Sequence, residues 1–327
     1  MREGVYWQWK LGKSRSSLSG NIAGTGAGLL LAPDDTDLME TQKALSYNPG
    51  RCENNSSWKK SPTMEQICKD LAMEQQELDA VVANLDEAEW ATMTPSEGWD
   101  IKEQIRHLAY YENRAKLAAS DPAAFKQWFE GMMKDLNRMN EEAETTGKDL
   151  TAAGTLNWWR KERTALLEVL VKMDRKERLA WYGPPMSAIS FATARLMETW
   201  AHGQDIVDAL GIKRKPTDRL RHIAHLGAST LGWSYANRQM RVPETPVRVE
   251  ITGPSGDLWT WGPEGAKDTV RGPAEDFCLV VVQRRHVADT NLMVEGVTAK
   301  QWMSIAQIYA GPPTDGRKPG MFPKKKH

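Results

Sequence analysis

"METWAHGQDIVDALG", residues 197–211, sets Glu198, His202 and Asp205 at helical spacing. At about 100° per residue, these three fall within roughly 60° of one another on one side of a helix. Glu and His at i and i+4 present a carboxylate oxygen and an imidazole nitrogen to one point, donors that suit a divalent metal. The wet face of an amphipathic helix has the same spacing, and a core stripe of Ile189, Leu196, Trp200, Val207 and Leu210 lies roughly opposite. The composition of the polar side separates the two readings. Phe191, Ala194, Ala201 and Ala209 flank the polar residues, and no lysine occurs from 187 to 212. Such a face is covered, and covered Glu and His need partners.

A metal site needs a further donor. His107 is the best placed, mid-helix at the edge of an Ile101, Ile105 and Leu108 stripe with Tyr111 one turn on. His222 and His225 in "RLRHIAHLG" are a rival pair at i and i+3, while His286 follows an arginine doublet and His327 ends the chain.

The rest of the chain is helical from Met64. "MEQICKDLAMEQQELDAVVANL" carries apolar residues at Ile67, Leu71, Leu78, Val81, Val82 and Leu85, an amphipathic repeat. Asp100 is placed to cap "IKEQIRHLAYYENRAKLAAS". A helical stretch within 122–143 and "TLNWWRKERTALLEVLVKM" follow. Ser187 is placed to cap the helix ending at Leu210, with Gly211 just past its end. One more helix is expected from about Pro216 to Gln239. After Pro243 the pattern changes. "TPVRVEITGPSGDLWTWG" alternates around a Gly-Pro-Ser-Gly turn and predicts a hairpin. "DFCLVVVQRR" is expected as a short buried strand, "NLMVEG" as another, and "TAKQWMSIAQIYAG" as a helix.

The expected fold class is α plus α+β. An irregular extension over 1–62 precedes an antiparallel four-helix bundle over 63–240, a small α+β domain over 244–310, and a disordered tail over 311–327. "GNIAGTGAGLLLAP" in the extension lacks the preceding strand and following helix of a dinucleotide loop.

Composition narrows the function classes. The 327 residues carry 43 basic and 43 acidic side chains, which gives no electrostatic case for nucleic acid or an anionic membrane surface. Three cysteines, Cys52, Cys68 and Cys278, stand in no metal or redox spacing, which fits a reducing, cytoplasmic setting. No apolar run reaches the ~20 residues that span a bilayer. The 14 tryptophans suit partly wet pockets and seams. The pattern leaves the oligomeric state open.

"GWDIKEQIRHLAYYE" at 98–112, followed downstream by "METWAHGQDIVDAL", resembles the DinB-like metal-binding bundles. It is more closely similar to the metal-binding domain of mycothiol-dependent maleylpyruvate isomerases, in an uncharacterised and largely actinobacterial branch. Trp99, the His107–Leu108 pair and the Glu198–x3–His202–x2–Asp205 box carry the likeness. "VEITGPSGDLWTWGPE", "GPAEDFCLVVVQRRH" and "VEGVTAKQWMSIAQIYAGPP" look like a sterol-carrier-like α+β domain. The resemblance spans about 64–315. It implies metal ligands His107, Glu198 and His202, with Asp205 orienting His202 or a bound water. Zinc is the expected metal, with nickel or iron as options.

The resemblance further implies a low-molecular-weight thiol, mycothiol or glutathione, at an open coordination position. The implied function is a thiol-dependent isomerase or transferase acting on a small electrophile. Two other classes stand beside it: a non-catalytic, metal-stabilised binding protein, and a metal-dependent hydrolase with Asp205 or His286 as base. Arg284 and Arg285 are candidates for holding a substrate anion, against an alternative as an exposed strand end.

Overall fold

The computed structural model describes residues 61–182 and 185–322. The expected 1–62 extension lies almost wholly outside the described residues, as does the terminal KKKH. Four long helices make the bundle: α1 (Met64–Val82), α3 (Ile101–Ser120), α6 (Ala152–Leu170) and α7 (Ala188–Leu210). Short polar side chains start each of them. Thr63, Asp100, Thr151 and Ser187 accept from the backbone N–H of Gln66, Glu103, Gly154 and Ser190, satisfying donors that a helix start leaves open. Gly211 ends α7 at φ +65°, a left-handed conformation that costs glycine nothing.

Pairwise contacts fix the helix directions. Gln104 meets His202 and Arg195 meets Glu112, so α3 and α7 are antiparallel. Asp79 meets Arg160 while the Gln75 carbonyl meets Arg163, so α1 and α6 are antiparallel too. Lys102 reaches the Leu150 carbonyl and Lys116 reaches Glu162, so α3 and α6 run the same way. The order is up-down-down-up. Returning the chain to the same end takes the crossover of residues 121–151, which holds α4 (Pro122–Met133) and α5 (Leu136–Thr145). A four-residue helix α2 (Glu87–Trp90) sits between α1 and α3.

The two apolar clusters agree with this order. One joins Leu78, Val82, Ile101, Ile105, Ala152, Trp159 and Ile206, residues from one end of all four helices. The other holds Ile67, Leu71, Ala115, Leu166 and Phe191 from the opposite end. This second cluster continues without a break into the C-terminal unit through Leu220, Ile223, Phe277, Val281 and Trp302.

Two short strands, β1 (Arg178–Leu179) and β2 (Met186–Ser187), lead into α7. The expected single helix over 216–239 is instead α8 (Leu220–Ser229) and α9 (Leu231–Ala236). Thr230 divides them, its hydroxyl bonded back to the Leu226 carbonyl at 2.8 Å. Gly227 on α8 lets another helix approach, because a Cβ there would stand 3.0 Å from Phe277 and 3.1 Å from Val281.

The C-terminal unit is α+β. The hairpin is present as β3 (Val247–Thr252) and β4 (Leu258–Trp261), paired antiparallel. An unforeseen strand β5 (Asp268–Pro273) lies parallel to β3, and β6 (Met293–Glu295) completes the order β4-β3-β5-β6.

"DFCLVVVQRR" is not a strand. It forms helix α10 (Ala274–Val281) and the turn after it. Phe277, Cys278, Leu279, Val280 and Val281 are all buried, and a helix apolar on every side has the same sequence pattern as a buried strand. Helix α11 (Val297–Ile305) closes the unit.

Residues 311–322 carry no regular element but are pinned, against the expectation of a disordered tail. Thr314 donates to Gln283, and Arg317 reaches back to the bundle. Among the described residues, no helix is long and apolar enough to cross a membrane.

Candidate metal centre

Helices α3 and α7 lie side by side, and their antiparallel register brings His107 level with the Glu198–His202 turn. One donor atom from each of His107, Glu198 and His202 lies within 4.8 Å of the others. The imidazole centroids stand 4.5 Å apart, and His202 Nε2 is 3.4 Å from Glu198 Oε2. Two imidazoles and one carboxylate converging at this separation fit a divalent metal such as zinc.

Two aromatic side chains hold the rings. Trp99, from the loop ahead of α3, stacks on His202 at 5.9 Å and leans on His107 at 5.0 Å. Tyr111 closes on His107 from the next turn of α3 at 4.5 Å. Burial pushes His107 well below the ordinary imidazole range, with the charge of His202 acting the same way. Burial alone would raise Glu198, but hydrogen bonding and charge from His202, with Arg195 and Arg284, hold it below the usual carboxylate range.

Gln104 sets the orientation of His202. Its Oε1 meets His202 Nδ1, and its Nε2 donates to Thr94 Oγ1 at 2.9 Å. The Thr94 hydroxyl proton goes to the Trp99 carbonyl at 2.8 Å, so Thr94 offers Gln104 only a lone pair. That fixes which end of the amide faces the histidine. The amide oxygen accepts from Nδ1–H, so Nε2 faces Glu198 and His107, donating to Glu198 when the imidazole is charged and turning its lone pair to that point when it is neutral.

Gln104 was not among the expected residues. The available signal was a polar side chain at the start of an apolar stripe, one turn before His107.

Asp205 was the residue expected to orient His202 or a bound water. It makes no hydrogen bond to His202. Fully buried, it accepts from Arg284 Nη2 at 2.8 Å, Arg317 Nη2 at 2.7 Å and the Ser96 hydroxyl at 3.0 Å. Burial opposes its ionisation, and Arg284 and Arg317 outweigh burial and hold the carboxyl below its ordinary range.

Arg284 and Arg285 follow a helix rather than ending a strand. Both are mostly buried, and Arg285 makes two 2.7 Å bonds to Asp208. The rival histidines point elsewhere. His222 Nε2 is 2.8 Å from Asp70, and His225 Nδ1 accepts from the Trp261 indole at 3.1 Å. His286 accepts the Ala288 N–H in a surface turn.

Comparison with known proteins follows the division of the fold. Residues 71–207 match the family model described as the mycothiol maleylpyruvate isomerase N-terminal domain. Residues 243–294 match the model described as wyosine base formation. Uncharacterized proteins from two strains of Mycobacterium tuberculosis, CDC 1551 and H37Rv, are each 44% identical over 248 residues, spanning 76% of this chain and 96% of the relative. A crystal structure of the mycothiol-dependent maleylpyruvate isomerase is similar at 16% identity and a TM-score of 0.47, over 77% of this chain and 97% of that one. A histidine-to-alanine mutant of that enzyme gives 16% and 0.46, over 68% and 90%.

Proposed function

This chain belongs to the family of those mycobacterial proteins, and from the match of residues 71–207 to the mycothiol maleylpyruvate isomerase N-terminal domain we propose that it is a thiol-dependent isomerase or transferase with a divalent metal on His107, Glu198 and His202. The observation that carries the proposal is the convergence of those three side chains within 4.8 Å, with His202 oriented from behind by Gln104. Zinc is the metal that suits the donor set best.

When bound, such a metal acts as a Lewis acid that lowers the pKa of a thiol, so that thiolate is present at neutral pH. Three protein ligands are the arrangement of reactive sites, which keep a position open. The protein's own described thiols are ill suited to the part. Burial pushes Cys68 up to about 11 and Cys278 well above its ordinary value, and neither is near the triad in sequence. The family match points to a small-molecule thiol, mycothiol or glutathione, in that part.

The chain's side chains bind, orient and shield. Trp99 and Tyr111 wall the histidines, and removing water there strengthens charge interactions between thiolate, substrate and protein. A small substrate with an electrophilic carbon completes the reading.

Hydrolysis is less well supported. A general base must be free to take a proton, and Asp205 is committed to two arginines while His286 is bonded in a turn away from the triad.

The test is spectroscopic. Cobalt-loaded protein should give ligand-field bands, and titration with mycothiol or glutathione should add a thiolate-to-metal charge-transfer band. Bound cobalt that no thiol perturbs would overturn the thiol-dependent reading.

A further inference from the structure

Arg317 lies in a stretch without regular structure, yet a pinned loop aims it at the bundle. Thr314 fixes one end: its amide donates to Gln307 Oε1 at 3.2 Å, and its carbonyl accepts from Arg238. Asp289 fixes the other end by accepting the backbone N–H groups of Gly320 and Phe322. Gly316 and Gly320 hold left-handed backbone, at φ +65° and +81°, and turn the chain out and back around Arg317. None of residues 311–322 is buried, so polar contacts rather than an apolar core hold this loop.

The guanidinium spends its donors on the bundle. Nη1 donates to the Pro95 carbonyl, and Nη2 meets Ser96 Oγ at 3.2 Å and Asp205 Oδ1 at 2.7 Å. Pro95 and Ser96 form the tip of the loop that carries Trp99, and that loop is closed on itself. Trp99 N–H donates to the Ser96 carbonyl at 3.0 Å, and Thr94 N–H donates to the Trp99 carbonyl at 2.8 Å. A displacement of Ser96 therefore reaches Trp99, whose ring stacks on His202 and leans on His107.

Charge pairing lets this contact break by itself. Arg284 takes Asp205 Oδ2 through Nε at 3.0 Å and Nη2 at 2.8 Å, while Arg317 takes Oδ1. Losing Arg317 leaves Asp205 one guanidinium. The C-terminal unit stays docked through the apolar cluster that joins Ile67 and Phe191 to Ile223 and Phe277. Releasing the Trp99 loop thus costs less than parting the two units.

We propose that Arg317 is a positioning residue for the metal centre: it latches the Trp99 loop over His107 and His202 and sets how readily the centre opens. The opening of the centre rests on the metal-centre reading above, whereas the latch on the loop does not.

Two measurements on the full chain separate the two. Amide hydrogen exchange of metal-free protein reads the loop, and Arg317→Met should speed exchange at the Thr94 and Trp99 N–H groups at least tenfold. Chelator extraction of cobalt, followed by decay of its ligand-field bands, reads the cover. Arg317→Met should take up cobalt at full stoichiometry and release it at least tenfold faster. Trp99→Ala should release it as fast, and adding Arg317→Met to Trp99→Ala should bring no further gain, because Arg317 acts through that ring. Arg317→Lys keeps the charge without the fork and should recover part of the slow release. Asp79→Asn, which breaks ion pairs between α1 and α6, should leave both rates unchanged.

Unchanged exchange at Trp99 in a folded Arg317→Met protein overturns the latch. Faster exchange with unchanged cobalt release, or additive effects in the double variant, overturns the positioning role. If the unaltered chain takes up no cobalt, the centre falls and the exchange rates alone judge the latch. If Arg317→Met does not fold, Ser96→Ala cuts the same contact from the loop side, and unchanged rates there overturn the proposal.

Discussion

Replacing Gln104 by Leu removes the acceptor behind His202 and the donor to Thr94. Leu fills the space between α3 and α7 but offers nothing to Nδ1–H. Gln104 is fully buried and Thr94 is 8% exposed, so water has little access to take the place of the amide. An unsatisfied buried donor costs about 1–3 kcal/mol. Imidazole can avoid that cost by shifting its proton to Nε2, and then it no longer presents a lone pair to the metal. Either way the loss falls on metal binding. Removing an outer partner of a ligating histidine typically lowers affinity ~10–100-fold. At about 1.4 kcal/mol per factor of ten, the two routes give the same size of effect. The assay is zinc competition against a chromophoric chelator, with circular dichroism confirming the helices. Gln104→Glu keeps an acceptor and should lose much less than Gln104→Leu. A folded Gln104→Leu protein with unaltered zinc affinity would refute the orientation argument, because His202 would then be held by something other than this amide.

His202→Ala should abolish stoichiometric zinc, measured by elemental analysis after dialysis; full occupancy would move the site away from the triad. Asp205→Asn removes the counter-charge of two mostly buried guanidinium groups, and losing one member of a buried pair costs about 3–5 kcal/mol. Chemical denaturation should show that loss, and a change below about 1 kcal/mol would mean the clamp is solvated. The Asp79 carboxyl is held below its ordinary range by Arg160, with Arg163 helping. Its folded pKa is depressed, so its contribution is present above the unfolded value near ~3.9 and is lost as pH falls through the folded one. Asp79→Asn should therefore flatten stability against pH in that acid window, and an unchanged slope there would count against the ion pairs. Gly227→Leu should destabilise by ~1–3 kcal/mol through overpacking against Phe277 and Val281, visible as a lowered melting temperature.

What the sequence made legible was local. Asp100, Ser187 and Gly211 mark helix ends because caps act over three or four residues, and all three hold those positions. Glu198 and His202 were legible because a single helix fixes their spacing. Lysine-free flanks on α7 signalled that the polar side was covered; His202 and Asp205 are buried, while the Glu198 side chain stays 25% exposed. His107 needed the family resemblance, since periodicity alone ranked it only above His222 and His225. The partners of Asp205 were beyond reach, because Ser96, Arg284 and Arg317 meet it from 109, 79 and 112 residues away. The helical nature of residues 274–281 was hidden for another reason. Periodicity reports a contrast between faces, and a segment buried on all sides has none. Helix direction had an unused signal: the crossover at 121–151 is long enough to return the chain to its starting end, which allows the parallel α3–α6 pair.

The Asp205 cluster makes sense as a device for assembly rather than for stability. Burying one carboxylate and two guanidinium groups carries a large desolvation cost, and apolar residues in their place would be as stabilising or more so. The cluster gains a condition that apolar packing does not impose. Ser96 comes from the loop that carries Trp99, Asp205 from α7, Arg284 from the turn after α10, and Arg317 from the segment beyond α11. The cluster is complete only when all four segments are docked. Trp99 stacks on His202 from the loop that Ser96 helps to pin, and Arg317 also meets the Pro95 carbonyl of that loop. The wall over the histidines is thereby tied to docking of the C-terminal unit. A bundle that had not docked that unit would leave Asp205 with Ser96 but without its counter-charges, and the Trp99 loop without its Arg317 contacts. The polar cluster thus gives the chain one geometry in which the triad is both formed and covered.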